Sequence, residues 1–109
     1  MQRHASVIGI EPDRIQEYRD LHSHVGEGVL RILAECHFTN CSIYLREPEN
    51  LLFSYFEYTG VNFAADYNRM AADPITQAWW KRCSPCQRPL EQRNPGDWWA
   101  TMPEVFHLD

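Results

Sequence analysis

The segment EPDRIQEYRDLHSHVGEGVLRILAEC, residues 11–36, decides how this chain folds. Its apolar and aromatic positions Ile15, Tyr18, His22, Val25, Val29, Ile32 and Cys36 recur in alternating steps of three and four, the spacing of one helix face. Pro12 stands at the entrance, where its missing N–H costs nothing. Gly26 and Gly28 interrupt the pattern, each disfavouring helix by about 1 kcal/mol against Ala. The periodicity therefore predicts helix from Pro12 to about Cys36, with a loosened or bent turn at the glycines.

Outward from this helix, residues 3–11 read as a first strand. Thr39 to Leu45 and Leu51 to Tyr58 read as a hairpin around Arg46-Glu47-Pro48-Glu49-Asn50. A second helix spans about Asn62 to Ala72, with Phe63, Tyr67 and Met70 at helical spacing. Pro74 restarts the chain into a short helix carrying Ile75, Ala78, Trp79 and Trp80. Pro85, Pro89, Pro95 and Gly96 mark a turn-rich stretch, and Glu104-Val105-Phe106-His107-Leu108 is the expected last strand. Strand, helix, strand, strand, helix, strand is the order of a ferredoxin-like α+β domain with an antiparallel sheet. Helices on one face leave the other face bare, and a second copy of the chain is the expected cover, giving a homodimer.

The 109 residues hold one domain, 1–109, with one core. A net charge of -5 argues against a nucleic-acid partner. No apolar run is long enough for a signal peptide or a membrane span, so a cytoplasmic location is expected. Cys83-Ser84-Pro85-Cys86 has the spacing of half a zinc site, but no second ligand pair matches it. With Cys36 and Cys41, these read as free thiols in a reducing compartment. No phosphate loop, metalloprotease motif, nucleophile elbow or glycosidase-like carboxylate pair is present, and no metal or cofactor is expected.

Tyr18 and His22, four apart on the inner stripe, share a helix face. A histidine there can be a core imidazole satisfied by its neighbours. Paired with a tyrosine on the same inner face, it can also be a proton-transfer group. His24 points elsewhere, and His4, His37 and His107 read as structural. Successive helical side chains diverge by about 100°, so Trp79 and Trp80 cannot both face the core. One of them lines a pocket or an interface, where an indole can stack on a sugar ring. Trp98-Trp99, after the Gly-Asp turn, suggests an interface or a lid.

At these residues the chain resembles the L-rhamnose mutarotase family. The matching pieces are Glu17-Tyr18 with His22, Asn40, Ile43-Tyr44-Leu45, Asn50-Leu51-Leu52-Phe53, Trp79-Trp80-Lys81 and Glu104-Val105-Phe106-His107-Leu108. They run in the family's order from end to end of the chain. The resemblance implies a dimeric ferredoxin-like domain that interconverts the anomers of L-rhamnose, a monosaccharide, without a cofactor. It assigns catalysis to His22 and sugar contacts to Tyr18, Trp79 and Trp80. Two pieces depart from the family pattern: Cys41 stands for a sugar-contacting tyrosine, and Val25-Gly26-Glu27-Gly28 for an Ile-Trp-Pro-Glu stretch. These differences open the question of sugar identity, with L-fucose or another 6-deoxy sugar as alternatives to rhamnose. A non-catalytic sugar-binding domain, or a cofactor-free oxygenase or haem-handling domain of the same fold, are the competing readings.

Overall fold

A computed structural model describes all residues, Met1–Asp109. Strand β1 (Gln2–Ile10) leads through a single 3-10 turn at Pro12–Arg14 into α1 (Ile15–Ser23) and then α2 (Glu27–Glu35). The expected single helix is thus two. Gly26 sits between them at φ +96°, a conformation that glycine adopts without the penalty a Cβ would impose. The inner stripe continues across the break, because Tyr18 and Val29 share one core cluster and Val25 packs against it.

Strands β2 (Phe38–Arg46) and β3 (Leu51–Tyr58) form the expected hairpin. A bulge between Thr39 and Ser42 takes up Asn40, at φ +50°, and Cys41. Helix α3 (Phe63–Ala72) is capped by Asn62, whose side chain accepts from Ala65 N. Helix α4 (Pro74–Cys83) starts on Asp73, whose Oδ2 accepts from Thr76 N at 2.9 Å, with Pro74 in the first turn. A 3-10 turn at Ser84–Cys86 then leads to two short strands, β4 (Gln87–Arg88) and β5 (Ala100–Met102).

The sheet runs β2-β3-β1-β4, with β5 also paired to β1, and the β1 pairings to β3, β4 and β5 and that of β2 to β3 are all antiparallel. This is the ferredoxin-like order expected from the sequence, with its fourth strand divided. The expected last strand at 104–108 is not formed. Pairing stops at Met102, next to Pro103, which has no N–H to extend the ladder, and Val105, Phe106 and Leu108 are left exposed. The ends of β1 also differ. Met102, Thr101 and Ala100 face Ala5, Ser6 and Val7, while Arg88 and Gln87 face Gly9 and Ile10. Gly9 allows β4 to come this near, since a Cβ there would lie 2.6 Å from the Arg88 carbonyl oxygen.

Alternation along the strands sends Ile8, Ile10 and Leu52 into the core beneath the helices. One cluster joins them to Tyr18, Val29, Trp79, Cys83 and Cys86. A second, near the other end of β1, gathers Cys36, Phe38, Tyr58 and Met70 with Phe56 and Phe63 packed against it. On the opposite sheet face the register aligns Tyr44, Phe53 and Val7, with Tyr55 beside Ala5 and Met102, and Tyr44 is 66% exposed.

Candidate active site

Helix α1 supplies the centre of the site. Its i, i+4 geometry lays the His22 ring on that of Tyr18, with centroids 4.3 Å apart, while Trp79 from α4 meets His22 edge-on at 5.1 Å. The Nδ1 atom of His22 lies 2.9 Å from the backbone carbonyl of Tyr18. A carbonyl can only accept, so Nδ1 carries the hydrogen in the neutral ring and Nε2 carries the lone pair. Nε2 has no partner within the protein. One nitrogen therefore fixes the ring, and the other is free to take or return a proton.

Tyr18 is buried, 6% exposed, and burial pushes its pKa up to about 12. The opposing influence is a hydrogen bond from Gln87 Nε2 to the Tyr18 hydroxyl at 3.1 Å. At neutral pH this residue is a phenol that donates, and it cannot serve as a base. Gln87 in turn accepts from the indole N–H of Trp98 at 2.8 Å. Neither Gln87 nor the role of Trp98 stands out in the sequence. Gln87 lies in a two-residue strand with no periodicity of its own, and only the Trp98-Trp99 pair marks the neighbourhood.

The two tryptophans of α4 separate as helical geometry requires. Trp79 is 9% exposed and belongs to the core, with the Arg82 guanidinium 5.8 Å from its ring. Trp80 is 38% exposed and makes no ring contact with His22. The structure thus brings His22, Tyr18 and Trp79 together and leaves Trp80 at the surface beside them.

Cys83 and Cys86 pack under Tyr18, and burial raises both thiols, Cys83 to about 11. The Cys86 Sγ donates to Glu17 Oε2 at 3.4 Å. No group of three or more His, Cys, Asp or Glu side chains is placed to hold a metal ion. Cys41, where the family resemblance calls for a tyrosine, is exposed in the β2 bulge, and its thiol lies 3.7 Å from the Thr39 carbonyl. At Gly26, a Cβ would meet nothing within 4 Å, so this departure faces open space. A surface groove lined by Gln16, Glu17, Asp20, Leu21, His24 and Arg82 runs along a different side of α1 and includes neither His22 nor Trp79.

Known proteins show the same architecture. The chain superposes on the crystal structure of an L-rhamnose mutarotase from Formosa agariphila with a TM-score of 0.80 at 21% identity, each chain covered in full. A tetracenomycin F2 cyclase from Streptomyces glaucescens, 10% identical, gives a TM-score of 0.74 over 100% of this chain and 98% of that one. At these identities the likeness concerns the fold alone. Sequence relatives say more. An L-rhamnose mutarotase of Listeria monocytogenes is 31% identical over 99% of both chains, and one of Oceanobacillus iheyensis is 28% identical over the whole of both. Because residues 3–108 also match the L-rhamnose mutarotase family from the first strand to the exposed C-terminal segment, the chain belongs to that family.

Proposed function

We propose that the protein is a mutarotase that interconverts the α and β anomers of L-rhamnose or a related 6-deoxy sugar. The observation that carries this reading is His22 itself, fixed by the Tyr18 carbonyl through Nδ1 with Nε2 unpartnered, in a chain matched along its length by the family. Mutarotation needs little more than a positioned proton carrier. His22 Nε2 takes the proton of the anomeric hydroxyl as the bond from C1 to the ring oxygen breaks and C1 becomes a carbonyl. The imidazolium gives that proton to the ring oxygen. Rotation about C1–C2 presents the other carbonyl face, and the same transfers in reverse close the ring. General acid–base assistance of this kind contributes about 10²–10⁴-fold.

Tyr18 is assigned as a hydrogen-bond donor to the ring oxygen, where negative charge develops as the ring opens. Trp79 forms the wall behind the imidazole. Trp80, the exposed member of the pair, is assigned to stack on the apolar side of the sugar. The working unit in this reading is a two-fold dimer joined through the bare sheet face, where Tyr44, Phe53 and Val7 lie side by side. A stable interface removes about 800 Å² per partner from water, a size one face of this five-stranded sheet can supply. Phe53→Asp should therefore yield monomers by sedimentation at micromolar concentration. A dimer that survives the substitution sinks that arrangement. A cytoplasmic location belongs to the same reading and is supported by four cysteines held as thiols; no helix is long and apolar enough to cross a membrane.

The deciding experiment is anomer exchange by saturation-transfer NMR. One anomeric proton of L-rhamnose, and then of L-fucose, is saturated with and without protein. Accelerated transfer with either sugar supports the mutarotase reading, and the faster sugar identifies the preference. Line broadening without accelerated exchange would overturn it in favour of a sugar-binding domain.

A further inference from the structure

The hydrogen-bond chain behind Tyr18 has a direction, and that direction bears on catalysis. An indole N–H can only donate, so the Gln87 oxygen, 2.8 Å from Trp98 Nε1, must be the acceptor. The orientation of the amide is thereby set, and its NH₂ group must face the Tyr18 hydroxyl 3.1 Å away. Tyr18 then uses an oxygen lone pair on Gln87, and its own hydrogen has no acceptor within the protein. Trp98, exposed on the loop before β5, thus determines through one amide which way a buried phenol donates.

We infer that Gln87, oriented by Trp98, is a positioning residue that turns the Tyr18 hydroxyl outward as an obligatory donor to the sugar. The inference rests on the mutarotase reading and deepens it. Without this lock, Tyr18 could turn its hydrogen onto the amide oxygen and present only a lone pair to the substrate. The site would then face the ring oxygen with an acceptor, and the hydrogen bond that strengthens on ring opening would be lost. The titratable groups packed around Tyr18 are His22 on the same helix, Cys83 at the end of α4 and Cys86 in the 3-10 turn that follows, with Glu17 against the Cys86 thiol. Both thiols are raised by burial and stay neutral over the range used below.

The test uses two shape-conserving substitutions in the full chain, Gln87→Glu and Gln87→Met, with exchange measured on L-rhamnose. A carboxylate accepts from both Trp98 and Tyr18, so Gln87→Glu draws the phenol hydrogen inward. The expected result is a loss of roughly tenfold or more in exchange rate at pH 7.5 with little change in sugar affinity. The rate relative to wild type should recover as the pH falls and the introduced carboxyl takes up a proton, since a protonated carboxyl can again donate. Gln87→Met removes the donor without supplying an acceptor and should lose only a few-fold, with no such recovery. A merely structural role for Gln87 would produce no pH-dependent rescue. Wild-type rates and an unaltered pH profile in a folded Gln87→Glu protein overturn the inference. The Trp98 indole N–H resonance reports on the hydrogen-bond chain independently of activity, because it should shift in Gln87→Met whether or not the protein accelerates exchange. If wild-type protein accelerates nothing, the mutarotase reading fails; if that resonance does not move, the hydrogen-bond chain fails.

Discussion

The two ends of the molecule contain the same pair of residue types in different circumstances. Near the start of β1, His4 is stacked against both Phe56 and Phe63 at 4.9 and 4.4 Å, and the enclosed Tyr58 donates its hydrogen to Asp66 at 2.5 Å. The Tyr58 oxygen also accepts from Asn62 N, so both its capacities are used within the protein. His4 Nε2 is paired with the Gln2 side chain at 2.9 Å. At the other end, Tyr18 accepts from Gln87 but its hydrogen finds no protein acceptor, and His22 is held by one nitrogen with the other open. A histidine among aromatic rings is therefore no signal of chemistry by itself. Each histidine has one ring nitrogen partnered, and what distinguishes the two ends is the tyrosine beside it, since Tyr58 spends both its capacities within the protein and Tyr18 keeps its hydrogen unused.

The largest effect expected from this contrast is at the histidines. His22→Ala should lose about 10²-fold or more in anomer exchange while keeping its circular dichroism spectrum. His4→Ala should keep the activity and lower Tm, because it removes a ring stacked on both Phe56 and Phe63. Near-wild-type exchange in folded His22→Ala would end the contrast. Next come the tyrosines. Tyr18→Phe should reduce exchange by about tenfold to a hundredfold. Tyr58→Phe should leave exchange intact and lower Tm, since Asp66 and the Asn62 N–H both lose their partner.

The tryptophans sharpen the same division on a smaller scale. Trp80→Ala should weaken sugar binding several-fold in a titration followed by NMR, with fold and rate per bound sugar retained. The equivalent truncation of Trp79 would cost about 3–5 kcal/mol, a large share of a small domain's stability. Trp79→Phe is therefore the informative variant, and it should change exchange less than Tyr18→Phe does. Unchanged affinity in Trp80→Ala would assign that ring to the protein surface alone.

The smallest effect is one of pH. Burial lowers the pKa of His4, so the fold disfavours its charged form. Above the unfolded value of about 6.5, His4 is neutral in both states and imposes no cost. As the pH falls below that value, the unfolded chain takes up a proton that the folded chain resists, and stability declines until the folded site also titrates. His4→Phe should accordingly flatten the fall in Tm between pH 7 and pH 5. An identical fall in both proteins would mean that the acid sensitivity arises elsewhere.

Much of this was legible in residues 11–36. The three-four spacing placed Tyr18 and His22 on one inner face, and the structure puts their rings in contact. Pro74 and the consecutive indoles required Trp79 and Trp80 to diverge, as they do. The misreadings share a cause. The chain breaks between Ser23 and Glu27, with Gly26 capping the start of α2, although the apolar stripe runs straight through, because periodicity records which side faces the core and is blind to a break that preserves it. The segment 104–108 has an alternation suited to a strand, yet alternation does not record that Pro103, with no N–H to donate, ends the pairing of β5 with β1 at Met102.

The sequence by itself determined the element order, the amphipathic faces and the candidate pair on α1, since these depend on spacing along the chain and on local backbone preference. Only the tertiary structure decided which nitrogen of His22 is free and which way Tyr18 donates. Both answers come from groups that the two side chains meet only once the chain has folded. One is a carbonyl that only the helical turn brings to Nδ1, and the other is an amide 69 residues away from Tyr18. Hydrogen-bond direction is set by which donors and acceptors meet in space, and between Tyr18, Gln87 and Trp98 that meeting exists only once β4 has closed against β1 beside Gly9.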